Sequence, residues 1–244
     1  MTLTEDYVLY LLSNFTHQVI NPLNGVIGTI DNMLDGTTPK ERFPTRLLGV
    51  RGQLQCTVSL IRNLAFFAQY TADYGKVKTE KMDKICIIPQ IVIEALSFYQ
   101  EQARQRNIAI ELRERWNQHA VKGNPDLLRQ VLMNIFDNGV KYGLSDTVIE
   151  ARSWIQRSSG DLILTVSGPS VGFRQTEDIF GLGTRGQAAI QEVSSGTGIG
   201  LHVCKLIVEN VFGGKITGQH VFKTKVTTFE IRLHGGFIHA EAHH

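Results

Sequence analysis

Apolar positions in the first third of the chain recur at helical spacing. Val8, Leu11, Leu12, Phe15, Val19, Val26, Ile30 and Leu34 fall three, four and seven residues apart, predicting one long amphipathic helix with a single apolar stripe. The glycine and two prolines of "DGTTPKERFP" stop that helix and let another begin. From about residue 45 to 70, Leu47, Val50, Leu54, Val58, Ile61, Leu64 and Ala68 share one face of a second helix. So short a connection makes the two helices antiparallel neighbours. Two helices cannot bury both stripes and four can, so the hairpin is expected to pair with a second copy in a dimeric four-helix bundle.

After the polar stretch "TADYGKVKTEKMDK" the period changes. A short apolar run at residues 85–88, one helix through "PQIVIEALSFYQEQARQR" and alternation in "IAIEL" open a mixed domain. Asn124 followed by Pro125 supplies an N-cap and a first-turn proline for a helix running to about Tyr142. Strands around "TVIEARSWIQ" and "DLILTV" flank the turn "RSSG", and a last pair lies around "KITGQ" and "TTFEIRL". The pattern reads as an α+β chain of two domains: a helical hairpin over residues 1–75, then an α/β sandwich of helices on a mixed, mostly antiparallel sheet over 76–235. Residues 236–244 are set aside as a C-terminal tail.

Composition changes this picture little. The 244 residues are 42% hydrophobic and 20% charged, enough for a real core. A net charge of +2 without a basic run does not suggest nucleic acid or an anionic membrane as a partner. Cys56, Cys86 and Cys204 lack the spacing of a zinc site or a disulfide framework and read as buried free thiols of a reducing compartment. No apolar run reaches the ~18 residues that span a bilayer, so a cytoplasmic location is expected.

Three segments carry candidate chemistry. In "FTHQVINPLNG", His17 lies roughly 200° around the helix axis from the apolar stripe at about 100° per residue. It shares its face with Asn14, Gln18, Asn21 and Asn24, and Pro22 is expected to disturb the helix there. In "LLRQVLMNIFDNGVKYG", Asn134, Asn138, Lys141 and Tyr142 share one strip opposite an apolar face. Amide oxygens and an ammonium suit a magnesium–phosphate assembly. In "SSGTGIGLHVCKLIVENVFGG", Gly196, Gly198 and Gly200 precede a helix whose N-terminal amides suit a phosphate.

In order along the chain these segments resemble the catalytic core of sensor histidine kinases, over roughly residues 7–233. "FTHQVINPL" looks like the H box, "NIFDNGVKY" the N box, "SGPSVGF" a reduced G1 box, "DIFGLGTRG" the F box and "GTGIGL" the G2 box. The resemblance implies that His17 is the phosphoacceptor, taking phosphate from ATP and giving it to an aspartate on a response-regulator receiver domain. It implies that Asn138 holds Mg²⁺, that Asn134 and Lys141 lie against the phosphates, and that Tyr142 lies against the base. Ser167 and Gly168 of the G1 box, Arg185 of the F box, and Gly196, Thr197, Gly198 and Gly200 complete the nucleotide set, with residues 181–196 as a mobile lid. Any membrane link would run through a sensory region outside this sequence.

The chain departs from the family pattern in two places. Gln18 stands where an acidic residue usually follows the phosphoacceptor, and an amide is a poor base. Val166 or Ser167 stands where the G1 box supplies an aspartate to adenine, so a charge-assisted bond is lost. Asn21, four residues after His17, matches the position that orients water for dephosphorylating the regulator. The expectation is a histidine kinase with its autokinase half weakened and its transfer and phosphatase half intact. A pseudokinase or phosphotransfer scaffold is the alternative, and a gyrase- or chaperone-like ATPase, which the His17 helix argues against, a third.

Overall fold

The computed structural model describes residues 5–72, 82–192 and 198–239. Helices α1 (Glu5–Leu34) and α2 (Phe43–Ala72) form the expected antiparallel hairpin, joined through a 3₁₀ turn at Lys40–Arg42. α1 runs through Pro22 without a break. One missing backbone bond is outweighed by the turns on either side of it. Val26 and Val50 are buried, yet Ile30 and Leu34 of α1 and Leu47, Leu54, Val58 and Ile61 of α2 are exposed. A single hairpin thus leaves most of its apolar stripe in water. The side chains of Val8, Leu11, Leu12 and Asn14 and the domain boundary at 75–76 lie outside the described residues.

The second domain begins with β1 (Lys84–Ile87) and α3 (Ile88–Ser97), followed by α4 (Gln100–Gln105), β2 (Ile108–Leu112) and β3 (His119–Gly123). The single helix expected over residues 89–106 is therefore two. The backbone tightens where Phe98 N donates to Ala95 O and Tyr99 N to Leu96 O, ending α3 without glycine or proline. Helix α5 (Pro125–Tyr142) leads to the hairpin strands β4 (Thr147–Ile155) and β5 (Leu162–Pro169), and then the short α6 (Gln187–Glu192). Helix α7 (Gly200–Lys205) continues into a π turn at Leu206–Val211. β6 (Lys215–Val221), β7 (Val226–Leu233) and β8 (Phe237–Ile238) close the fold.

The larger sheet has the order β2-β4-β5-β7-β6, antiparallel except for the parallel β2–β4 pair. A smaller sheet, β1-β3-β8, lies beside it. Two of its strands escape the periodicity reading: β3 is short and carries His119 and Lys122, and Phe237 and Ile238, placed in the tail by the sequence, pair with β3 as β8. The core joins Leu128, Leu132 and Phe136 of α5, Val203 of α7 and Ile207 of the π turn to Leu164 and Ile231 of the sheet, all 1% exposed or less.

Candidate functional site

The site is built on α5. The Asn124 side chain accepts from Asp126 N at 3.0 Å and Leu127 N at 3.4 Å, fixing the helix start ahead of Pro125. At the other end the Arg106 guanidinium donates to the carbonyls of Val140 and Lys141, which have no partner within the helix. Gly139 lets α5 approach β4 closely, since a Cβ there would meet Ile149 Cδ1 at 2.9 Å. One face is thereby anchored in the core, and Asn138, Lys141 and Tyr142 border an open cleft. The cleft spans about 1320 Å³ when its open mouth is included.

Ser167, Gly168, Arg185, Gly198 and Gly200 line the same cleft, so ten of the predicted positions converge on it once Asn134 and Gln18 are counted with the three on α5. Gly198 has φ +65°, and a Cβ there would lie 2.5 Å from Gly183 C, so this loop requires glycine. Gly196 and Thr197 lie outside the described residues. Of the expected lid, 181–192 is described: Thr184 Oγ1 donates to Asp178 O at 2.6 Å, Glu177 accepts from Gln187 N at 2.9 Å, and α6 follows. His17 and Asn21 are exposed on α1, outside the cleft lining, while Gln18, next to His17, is part of it.

Asn134 departs from the sequence expectation of an accessible polar strip. It is 5% exposed, and its amide is engaged by the hairpin. Asn63 Nδ2 on α2 donates to Asn134 Oδ1 at 2.7 Å, Asn134 Nδ2 donates back to Asn63 Oδ1 at 3.0 Å, and Asn134 Nδ2 also reaches Gly200 O at 3.2 Å. Gln130 Nε2 adds a bond to Asn63 Oδ1 at 2.9 Å. Cys56, Ser59 and Leu60 of α2 also line the cleft, and Cys56 is half-buried rather than buried as expected. Gln102 Nε2 contacts Gly52 O and Cys56 Sγ, both at 3.1 Å. The α2 contribution was missed because its polar residues read as solvated; the strip Gly52, Ser59, Asn63, at helical spacing opposite the apolar stripe, was the available signal.

Two electrostatic features shape the cleft. Burial alone would lower the Lys141 ammonium, but the paired Asp137 carboxylate outweighs it and holds Lys141 above its ordinary value, charged at neutral pH. Burial pushes the His220 imidazole down, so it is neutral at neutral pH beside Thr227. Burial raises the Cys56 thiol and holds Cys204 near 12, which leaves neither as a ready thiolate.

Residues 123–235 match the family of histidine kinase-, DNA gyrase B- and HSP90-like ATPases. The sensor protein KdpD of Clostridium acetobutylicum is 25% identical over 224 residues, covering 88% of this chain and 24% of that protein. The sensor histidine kinase AruS of Pseudomonas aeruginosa is 27% identical over 231 residues, covering 91% of this chain and 22% of that protein. The chain thus spans about a quarter of the length of these relatives. Full-length ShkA in complex with AMPPNP shares the fold, with a TM-score of 0.59 at 18% identity over 94% of this chain and 46% of that one. The ATPase match covers most of the sheet-and-helix domain, and the similarity to sensor kinases runs across hairpin and domain together.

Proposed function

We propose that this core phosphorylates His17 from ATP and passes the phosphoryl group to an aspartate on a response-regulator receiver domain. One observation carries the reading: the cleft is walled by both domains, and its α1 wall is Gln18, the neighbour of the exposed His17. The phosphoacceptor therefore sits on the helix that bounds the cleft, with its ring open to solvent and to a docking regulator.

The cleft fits a nucleotide. Lys141 and Arg185 bring positive charge, the Gly198–Gly200 backbone leads into α7, and Ile149, Val166 and Phe229 form an apolar floor for a flat base next to Tyr142. Asn138 offers an amide oxygen for Mg²⁺. No group of three His, Cys, Asp or Glu able to hold a metal occurs among the described residues, so Asn138 would share the ion with phosphate oxygens and water, as Mg²⁺ prefers. When bound, Mg·ATP supplies the phosphoryl group and neutralises its developing charge. The protein orients His17, excludes water behind the α2 wall and holds the phosphates with Lys141 and Arg185. Asn21, exposed one turn after His17, is placed to orient water during dephosphorylation of the regulator. The protein works as a homodimer through the exposed stripes of α1 and α2, in the cytoplasm where ATP and regulator meet.

A second reading, a phosphotransfer scaffold with weak nucleotide use, is favoured by Val166, 4% exposed where a carboxylate is expected. With Gln18 it argues for a bias toward transfer and phosphatase activity. Radiolabelled ATP tests the function: the kinase reading expects acid-labile, base-stable label that vanishes in His17→Ala. Label retained in that variant moves the acceptor elsewhere, and transfer only from a phosphorylated regulator selects the scaffold.

A further inference from the structure

The floor of the cleft carries polar groups to which the sequence reading gives no role. Ser170, just past the end of β5, and Thr227 on β7 both line it, with their hydroxyl oxygens 2.6 Å apart. Either hydroxyl can donate to the other. Thr227 Oγ1 lies 2.8 Å from Nδ1 of His220 on β6, and His220 is 6% exposed. The strands enforce this chain of contacts: the register places His220 opposite Thr227, and Thr227 opposite Gly168. Gly172, at φ +75°, receives the imidazole, since a Cβ there would lie 2.4 Å from the ring. The Phe222 ring packs edge-on against the imidazole, with centroids 4.7 Å apart.

Val166, Gly168 and Ser170 alternate onto the same side of β5. The first is aliphatic and the second has no side chain, so Ser170 presents the polar group. Asp137 is the one carboxylate among the described lining residues, and Lys141 holds it. The floor thus offers a hydroxyl pair backed by a buried imidazole.

A carboxylate can only accept hydrogen bonds, whereas a hydroxyl donates and accepts, and a neutral imidazole has two tautomers. With the proton on Nδ1, His220 donates to Thr227, Thr227 donates to Ser170, and the Ser170 proton is free to point into the cleft. With the proton on Nε2, Nδ1 accepts from Thr227, Thr227 accepts from Ser170, and the Ser170 lone pairs face the cleft. One set of side chains therefore presents a donor or an acceptor, at the cost of a tautomer change.

Resting on the nucleotide reading above, we infer that this cleft takes guanine as well as adenine nucleotides, the Ser170–Thr227–His220 chain meeting a 6-oxo group as donor and a 6-amino group as acceptor. A site of fixed polarity rejects a mismatched analogue by roughly 10⁴–10⁵-fold, because buried groups are left unpaired. A site that reverses its polarity does not.

Equilibrium titration of the full chain with Mg-ATP and Mg-GTP tests this. GTP is expected to bind within about tenfold of ATP, and Ser170→Ala should weaken both by a similar factor, about two- to tenfold for one hydrogen bond. ATP binding with GTP more than tenfold weaker overturns the inference and leaves the nucleotide reading standing. Affinities unchanged in Ser170→Ala, with the variant folded by circular dichroism, also overturn it. Failure of both nucleotides to bind removes the nucleotide reading and the inference with it.

Discussion

Replacing Asn63 by alanine should uncouple the two domains, and the structure sets the size of the effect. The substitution removes the reciprocal pair with Asn134, at 2.7 and 3.0 Å, and the bond from Gln130 at 2.9 Å. Asn63 and Asn134 are each 5% exposed, so water does not simply take the vacated place. A net hydrogen bond contributes about 0.5–1.5 kcal/mol, and a buried polar group left unpaired costs about 1–3 kcal/mol. Asn134 keeps its bond to Gly200 O, so the penalty falls on its carbonyl oxygen and one amide hydrogen. The expected loss is about 2–4 kcal/mol, felt as weaker docking of α2 on α5, since the two asparagines stand on different domains. A double-mutant cycle of Asn63→Ala, Asn134→Ala and both together, measured by urea unfolding, isolates the pair. Its coupling energy should be about 1–3 kcal/mol. If the two single changes add to within about 0.5 kcal/mol, the pair contributes nothing specific and the argument from its geometry is wrong.

Two further predictions concern the open stripe and the acid limb of stability. Leu54→Asp together with Val58→Asp, both on the exposed face of α2, should convert a dimer into monomers at micromolar concentration, because each large apolar side chain buried contributes about 1.5–3 kcal/mol; an unchanged sedimentation mass rejects that face as the dimer contact. Asp161 is held below its ordinary value of 3.8 by hydrogen bonds from His234 and Ser159, with Arg232 nearby. A carboxylate depressed on folding gives stability that is present in full above the unfolded value and is lost as pH falls through the lower folded value. Asp161→Asn should therefore flatten the loss of stability below about pH 4, measured as urea midpoints against pH, and an acid slope as steep as that of the wild type removes Asp161 as its source.

The legible parts of the fold are those in which local chemistry and tertiary context agree. Asn124 and Pro125 mark the start of α5 because capping is local, and the Gly198 turn into α7 is visible because positive φ selects glycine. The break between α3 and α4 at Phe98 and Tyr99 is not legible, because both side chains fit a helical stripe and no breaker stands there. Ser170, Thr227 and His220 escape the sequence for another reason: they meet only through strand register, across 57 and 7 residues. Asn63 shows the limit most clearly. On an isolated helix an asparagine opposite the apolar stripe belongs in water, and only a second surface with matching amides turns it inward.

That second surface gives the cleft a built-in opposition between its two walls. Both amide hydrogens of Asn134 are already directed, one to Asn63 Oδ1 and one to Gly200 O. A phosphate oxygen needs a donor, so Asn134 cannot serve a phosphate while keeping both bonds. If Asn134 serves a phosphate as the resemblance implies, holding the hairpin against the cleft and binding that phosphate compete for one side chain. Linkage makes such competition reciprocal: whatever weakens the Asn63 contact favours the ligand, and the ligand loosens the hairpin by the same factor. His17 rides on that hairpin, packed against α2 through α1. On the proposed function, release of α2 would free the helix that carries His17 to move when nucleotide binds.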